Sequence, residues 1–141
     1  MRTPFTAEDV MARKLITVSP ETDAYEAIGL LLKNQISGMP VLNADGELVG
    51  ILSERDCLET LTNAQYHNLP TQLVRDLMTT DLTTISADTG LLEVAKLFMQ
   101  NKFRRLPVLD EDGHLIGQIS RRDVLTAVQK MHKADGPAAD K

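Results

Sequence analysis

The chain of 141 residues lacks the features that mark several common protein classes. It has one cysteine, Cys57, no tryptophan, three phenylalanines and two tyrosines. A single cysteine excludes an internal disulfide, so a reducing, cytoplasmic location is expected. No apolar run approaches the ~20 residues that a membrane-spanning helix needs, and residues 1–8 lack the apolar centre of a secretion signal.

The charge balance argues against a nucleic-acid-binding protein. The formal net charge is −5 at pH 7. Nucleic-acid surfaces instead present basic stripes and stacking aromatic rings. The hydrophobic content of 43% is ordinary for a globular domain. The composition therefore predicts a soluble protein that neither inserts into membranes nor binds nucleic acid.

The chain contains an internal sequence repeat. Residues 9–61 and 76–128 align without a gap at an offset of 67. The segment Gly50–Asp56 (GILSERD) returns as Gly117–Asp123 (GQISRRD). A repeat of this length holds several secondary-structure elements. It predicts two similar halves packed on each other, with clefts of related shape between them.

The pattern of apolar and β-branched residues in each copy predicts the element order strand, helix, strand, strand, helix. The β-branched runs Ile16–Val18 and Thr83–Ile85 predict the first strand. Apolar residues at helical spacing follow each run, and Thr22 and Thr89 stand where an N-cap would open those helices. The expected fold class is α+β: two tandem β-α-β-β-α repeats with small mixed sheets flanked by helices.

The second and third strands of each copy predict a β-hairpin. Asp45-Gly46 and Asp112-Gly113 lie between apolar runs, and Asp-Gly is a strong turn signal. The predicted domains are residues 1–70, the first repeat with its N-terminal segment and linker, and residues 71–131, the second repeat. The linker-like composition covers residues 63–72. Residues 132–141 are predicted to form a disordered tail.

A serine and an aspartate three residues later lie where the third strand meets the last helix. The pairs are Ser53 with Asp56 and Ser120 with Asp123. One interpretation is a capping box that stabilises the helix N-terminus. The other is a nucleotide site, because free N–H groups suit a phosphate and an aspartate accepts hydrogen bonds from ribose hydroxyls. Both interpretations are compatible.

With these motifs in register twice, the chain resembles the tandem cystathionine-β-synthase (CBS) domain family, or Bateman module. The resemblance covers roughly residues 9–129. It rests on a Val-Met or Leu-Met leading helix, a hydrophobic-Pro-Val strand, an Asp-Gly hairpin and a closing Gly-x-x-Ser-x-x-Asp. Such modules bind adenosine-containing ligands such as AMP, ADP, ATP or S-adenosylmethionine and regulate an attached enzyme, transporter or channel. No such partner domain occurs in these 141 residues, so a stand-alone module is expected.

The resemblance implies a set of ligand-binding residues. Asp56 and Asp123 would hold ribose hydroxyls, with Ser53 and Ser120 near ribose or phosphate. Backbone groups would line the adenine pockets. The residues implied for those pockets are Thr17, Val18, Gly38, Met39 and Pro40 in the first copy, and Thr84, Ile85, Leu106 and Pro107 in the second.

The copies differ in arginine content. Ser37 and Gly38 of the first copy become Arg104 and Arg105 in the second. These arginines are either solvated cations or bidentate phosphate ligands. As ligands, they would give the second copy's pocket a preference for more phosphate charge. The same alternatives, surface salt bridge or ligand contact, apply to Arg55 and Arg122.

Other reactive residues carry no catalytic pattern. His67, His114 and His132 are scattered without carboxylate or cysteine partners at ligand spacing, which predicts no metal site. Cys57 aligns with Val124 and is interpreted as a core residue. No Ser-His-Asp or Cys-His arrangement suggests an enzyme.

Two functional hypotheses remain. One is an adenosine-nucleotide sensor that signals to an effector protein and uses no catalytic cofactor. The other is a structural interaction module with empty clefts. A homodimer formed through the amphipathic helices is expected in either case.

Overall fold

The computed structural model describes residues 5–62 and 72–139. Its contacts divide the chain into two compact units. Leu15–Leu82 forms one, named here the central unit; Met1–Lys14 and Thr83–Lys141 together form the other, the split unit. In chain order the elements are α1 (Ala7–Val10), α2 (Ala24–Asn34), β1 (Gly38–Leu42), β2 (Leu48–Ser53), α3 (Glu54–Thr62), α4 (Val74–Leu77), β3 (Ile85–Ser86), α5 (Leu91–Gln100), β4 (Arg105–Leu109), β5 (Leu115–Ser120) and α6 (Arg121–Ala139).

The central unit is built on the antiparallel hairpin of β1 and β2. A single parallel bridge joins Val18 to Val41 on the other side of β1, where the sequence predicts a longer strand. Helix α2 buries Ala24, Ala27 and Leu31, which recur at the spacing of one helix face. These side chains pack with the fully buried residues of the hairpin to form the core of the unit.

The split unit has the same layout around a three-stranded mixed sheet. Strand β3 runs parallel to β4, and β4 is antiparallel to β5. Helix α5 buries Leu91, Val94 and Phe98 against this sheet. The mixed sheets and flanking helices confirm the α+β class predicted from the sequence.

The hairpin loops follow the Asp-Gly signal. Gly46 and Gly113 have φ angles of +81° and +84°, in the left-handed region that glycine adopts without steric cost. In each loop an earlier side chain, Asn43 or Asp110, accepts two backbone N–H groups through its Oδ1 atom. Both turns were correctly predicted.

Each repeat begins with a short segment, called here its leading segment: α1 through Lys14 in the first copy and α4 through Leu82 in the second. Each leading segment belongs to the compact unit of the other repeat. Ala12 exchanges two backbone hydrogen bonds with Gln118 of β5, and Thr79 exchanges two with Ile51 of β2. Val74 is fully buried in the core of the central unit. The compact units therefore divide the chain differently from the sequence repeats 1–70 and 71–131.

Two predicted N-caps were wrong by one residue. The N-cap of α2 is Asp23, whose Oδ2 atom accepts the amides of Tyr25 and Glu26 at 3.0 and 3.2 Å. The N-cap of α5 is Gly90, while the hydroxyl of Thr89 accepts the amide of Ser86. An aspartate one residue beyond Thr22 reaches the free amides of the helix, which explains the first displacement.

The C-terminal segment also differs from the prediction. Helix α6 continues to Ala139, so residues 132–139, predicted to be disordered, are helical. This segment is a direct extension of an amphipathic helix, and extending a helix costs less than nucleating one. Most of the predicted linker, residues 63–71, lies outside the described residues, as does His67. Within the described ranges, no helix combines the length and apolar character needed to cross a bilayer.

Candidate functional site

The Ser-x-x-Asp motif forms a complete capping box in both units. In the central unit the amide of Ser53 donates to Oδ2 of Asp56 at 2.9 Å, and the amide of Asp56 donates to Oγ of Ser53 at 3.0 Å. In the split unit the corresponding distances for Ser120 and Asp123 are 2.9 and 3.2 Å. The four side chains are half-buried. The capping interpretation is confirmed, and it holds each acid rigidly at a strand–helix junction.

A threonine that the sequence analysis overlooked completes the environment of Asp56. The hydroxyl of Thr79 donates to Oδ1 of Asp56 at 2.9 Å. Thr79 belongs to the second repeat in sequence but lies in the central unit. Only the three-dimensional exchange of the leading segments brings these residues together, although the alignment of Thr79 with Ala12 already marked a polar difference between the copies.

The sheet register brings further predicted residues to each capping box. Gly38 is the Cα partner of Ser53, and Arg105 is the partner of Ser120. Side chains of directly opposed residues in an antiparallel pair lie on the same face of the sheet. Half-buried Arg105 therefore lies on the side of Ser120, where the first copy has only the α-carbon of Gly38.

The residues predicted to line the adenine pockets divide into exposed threonines and buried strand residues. Thr17 and Thr84 are exposed. The buried residues at the other positions are Val18, Gly38, Met39, Pro40, Ile85, Leu106 and Pro107. The amide of Val18 already donates to the carbonyl of Pro40 at 3.1 Å. A buried residue of these strands can hydrogen-bond to an adenine base only through a backbone N–H or C=O group that is not already bonded within the sheet.

The remaining predicted arginines are exposed. Nε of Arg55 lies 3.9 Å from Oε2 of Glu59, one helical turn away. This is the surface salt bridge that was the simpler interpretation of Arg55. Arg104 and Arg122 are exposed, and among the described residues no acid lies within salt-bridge distance of either.

Comparison with known proteins identifies this arrangement. The sequence matches the CBS domain twice, over residues 7–63 and 74–130. The chain belongs to the CBS domain family. It is a tandem CBS pair, as the sequence resemblance indicated.

Several relatives match this CBS pair over most of its length. An uncharacterized protein of Methanocaldococcus jannaschii is 35% identical, over 86% of this chain and 89% of that protein. The solved structure of CBSX2, an Arabidopsis thaliana protein, in complex with AMP is 35% identical with a TM-score of 0.81. That match covers 90% of this chain and 98% of CBSX2.

An enzyme also carries a similar segment. Inosine-5'-monophosphate dehydrogenase of Methanocaldococcus jannaschii is 35% identical over 96% of this chain. The CBS pair spans only 25% of the length of that enzyme. The similarity therefore concerns a part of the dehydrogenase.

The prediction that His114 lacks carboxylate neighbours was wrong. Ligand atoms of Asp110, Asp112 and His114 lie within 4.8 Å of one another in the hairpin of the split unit. Oδ1 of Asp110 accepts the amides of His114 and Asp112, both at 2.9 Å. These bonds, above all the one from His114, hold the pKa of the Asp110 carboxyl below its usual value. Backbone turn geometry accounts for this cluster.

Cys57 has the environment of a core residue. Its side chain is buried in the central unit beside the hairpin. Burial raises the pKa of the Cys57 thiol, and the carboxylates of Asp56 and Glu54 raise it further. A nucleophilic cysteine needs the opposite shift, because the thiolate is the reactive form.

The CBS pair exposes large apolar side chains on its helices. Leu58 on α3 and Leu125 on α6, which occupy aligned positions, are 60% and 69% exposed. The others are Tyr25, Leu32, Leu92, Met99 and Val128. Exposed apolar groups at several helices are a common feature of protein contact surfaces.

Proposed function

We propose that this CBS pair is a regulatory module that binds an adenosine-containing ligand at its Ser-x-x-Asp motifs. The candidate ligands are AMP, ADP, ATP and S-adenosylmethionine. The occupied and empty forms would then differ in affinity for an effector protein. The module would act by binding and perform no catalysis.

One observation supports this proposal most directly. A protein 35% identical to this chain, matched over 98% of its own length, has been solved with AMP. This chain carries at both copies an aspartate fixed by a capping box, which suits hydrogen bonding to a ribose. Each serine hydroxyl accepts one amide and retains its own O–H for donation to a ligand.

The regulatory part of the proposal has a thermodynamic requirement. A ligand shifts a conformational equilibrium only by the difference between its affinities for the two forms. The same difference must appear in the affinity for the effector, because linkage between two sites is reciprocal. A ligand that binds without changing the affinity for any partner would make the module a carrier instead of a sensor.

The second candidate is a structural interaction module. Complete capping boxes explain both serines and both aspartates without any ligand. The exposed leucines Leu58 and Leu125 would then serve protein contacts alone. A homodimer, an effector protein and a cytoplasmic location remain predictions under either candidate.

Thermal unfolding with a ligand panel separates the two candidates. The panel contains AMP, ADP, ATP, S-adenosylmethionine, NAD and GTP, each with and without Mg²⁺. A ligand at 100 times its dissociation constant should stabilise the fold by roughly 2.7 kcal/mol, a shift of several degrees. The matched variant is the double substitution Asp56→Asn with Asp123→Asn, because the side-chain carbonyl of asparagine can still accept the amide of the N-cap serine while the charge is removed.

The expected result is a shift with adenosine compounds that the double variant loses. Stabilisation by GTP to the same extent would contradict the adenosine assignment. No shift with any ligand would favour the structural module. An equal shift in the double variant would place the ligand away from both aspartates.

A further inference from the structure

Asp56 and Asp123 occupy aligned positions, but their carboxylates are not equally engaged. In both, Oδ2 accepts the amide of the N-cap serine at 2.9 Å. Oδ1 of Asp56 also accepts the hydroxyl of Thr79. Oδ1 of Asp123 accepts no hydrogen bond from any residue that the structure describes. The second acid therefore has more capacity to accept from a ligand.

The difference arises from one pair of aligned residues in the exchanged leading segments. Thr79 pairs with Ile51 of β2, and Ala12 pairs with Gln118 of β5 at the aligned register. Ala12 thus takes the place of Thr79 in the split unit. It presents a methyl group where Thr79 presents a hydroxyl, so it cannot donate to Asp123.

This difference bears on the binding of a ribose. A ribose diol donates two hydrogen bonds, and an ionised carboxylate accepts them best when its oxygens are not already engaged. At Asp123 a ribose hydroxyl can donate to Oδ1 without displacing any other residue that the structure describes. At Asp56 a ribose hydroxyl must share Oδ1 with Thr79 or displace it. Replacing an existing hydrogen bond yields less net free energy than making a new one.

The charged residues beside the two acids also favour an anionic ligand at Asp123 over Asp56. The segment Ser53–Asp56 carries two acids and one arginine, and that arginine faces Glu59. The segment Ser120–Asp123 carries two arginines and one acid. Thr126 stands at the position of Glu59, so Arg122 has no matching salt bridge. An anionic phosphate is therefore favoured beside Asp123.

We propose that the two copies are inequivalent and that Thr79 determines which one binds tightly. The Asp123 copy takes a phosphorylated adenosine ligand with high affinity. The Asp56 copy is weakened by the hydroxyl of Thr79 and serves mainly as a structural cap. This inference rests on the proposed function, since it assigns the ligand of that function to one copy.

Calorimetric titration of the full chain with AMP tests the assignment. We expect one tight site per chain. Asp123→Asn should weaken it by about tenfold or more, because hydrogen bonds to a charged acceptor are lost. Asp56→Asn should leave the tight site unchanged. Adenosine, which lacks the phosphate, should bind the tight site more weakly than AMP.

Exchanging the two aligned residues tests the role of the hydroxyl. Ala12→Thr should weaken the tight site by about three- to tenfold, the effect of one competing hydrogen bond. Ala12→Val is the matched control, because valine has the shape of threonine without its hydroxyl, and it should bind like the wild type. Thr79→Val should strengthen the weak site by a similar factor. Position 12 is exposed, so these variants are expected to fold.

Each outcome has a distinct meaning. Two equal sites, loss of the tight site in Asp56→Asn, or identical binding by Ala12→Thr and Ala12→Val would each overturn the inference and leave the proposed function intact. Absence of AMP, ADP, ATP and S-adenosylmethionine binding by the folded wild type would overturn the proposed function, and the inference with it.

Discussion

The side chain of Met78 lies so close to the α-carbon of Gly50 that a β-carbon there would force it to move. A β-carbon built on Gly50 would lie 2.6 Å from Sδ of Met78 and 3.0 Å from the carbonyl oxygen of Thr79. The same contact recurs between Met11 and Gly117. Glycine therefore avoids a steric conflict where each leading segment crosses the last strand of its unit.

Gly50→Ala is expected to destabilise the fold by about 1–3 kcal/mol, because the backbone carbonyl cannot move aside as a flexible side chain does. Denaturant unfolding measures the change. Gly29→Ala is the control, since a β-carbon at this helical position meets nothing within 4 Å. That variant should gain up to about 1 kcal/mol. Equal stability of the two variants would contradict the close contact.

Removing the N-cap of α2 should cost stability without affecting ligand binding. Asp23→Ala leaves the amides of Tyr25 and Glu26 without their acceptor, at an expected cost of about 0.5–2 kcal/mol. Asp23→Asn retains the acceptor and should change little. Thermal unfolding of both variants, followed by titration with AMP, checks the two statements. A loss of AMP affinity in Asp23→Ala would contradict a purely structural role.

Replacing the aligned leucines by aspartate should give a monomer. Leu58→Asp and Leu125→Asp place charges on side chains that are 60% and 69% exposed, so folding should survive. Burying those charges in an interface is costly, and the predicted homodimer should dissociate. Light scattering gives the mass. A control with aspartate at exposed Thr80 and Gln100 adds the same charge elsewhere, and a folded leucine variant with unchanged mass would exclude this interface.

The stability of the wild type should fall in alkaline solution through Cys57. Burial raises the pKa of this thiol in the folded protein above its ordinary value of 9.0. The neutral thiol therefore favours the folded state below that pH, and the contribution is lost as pH rises through the folded pKa. Cys57→Val, which copies the residue at Val124, removes the group. The unfolding free energy of the wild type minus that of Cys57→Val should decrease from pH 8 to pH 11. A difference that stays constant over this range would contradict the raised pKa.

Much of the fold could be predicted from the sequence, because repetition and apolar spacing are local signals. The hairpins at Asp45-Gly46 and Asp112-Gly113 and the helices after them are present as expected. The start of α2 was displaced by one residue because Thr22 and the adjacent Asp23 are both candidate caps and the spacing of the apolar residues fits either start, although aspartate is the stronger cap.

The candidate site was predicted only in part. The capping box of Ser53 and Asp56 was predicted because the two residues lie three positions apart in the chain, which is the spacing of that motif. Thr79 was missed because alignment groups residues by similarity and not by contact. Its partner in space belongs to the other copy, and the strand pairing that joins them is not encoded in either segment alone.

Because the leading segments are exchanged, the boundaries of the sequence repeats do not coincide with the boundaries of the compact units. A gene cut between the repeats would give two polypeptides, each carrying the leading segment that completes the other. Expressed apart, each fragment would lack buried residues of its own core, Val74 and Leu77 in one case and Ala7 and Met11 in the other. We therefore expect both fragments to be unstable alone and to be rescued by co-expression. A circular permutant that begins at residue 15 would instead make each folding unit continuous, first 15–82 and then 83–141 joined to 1–14.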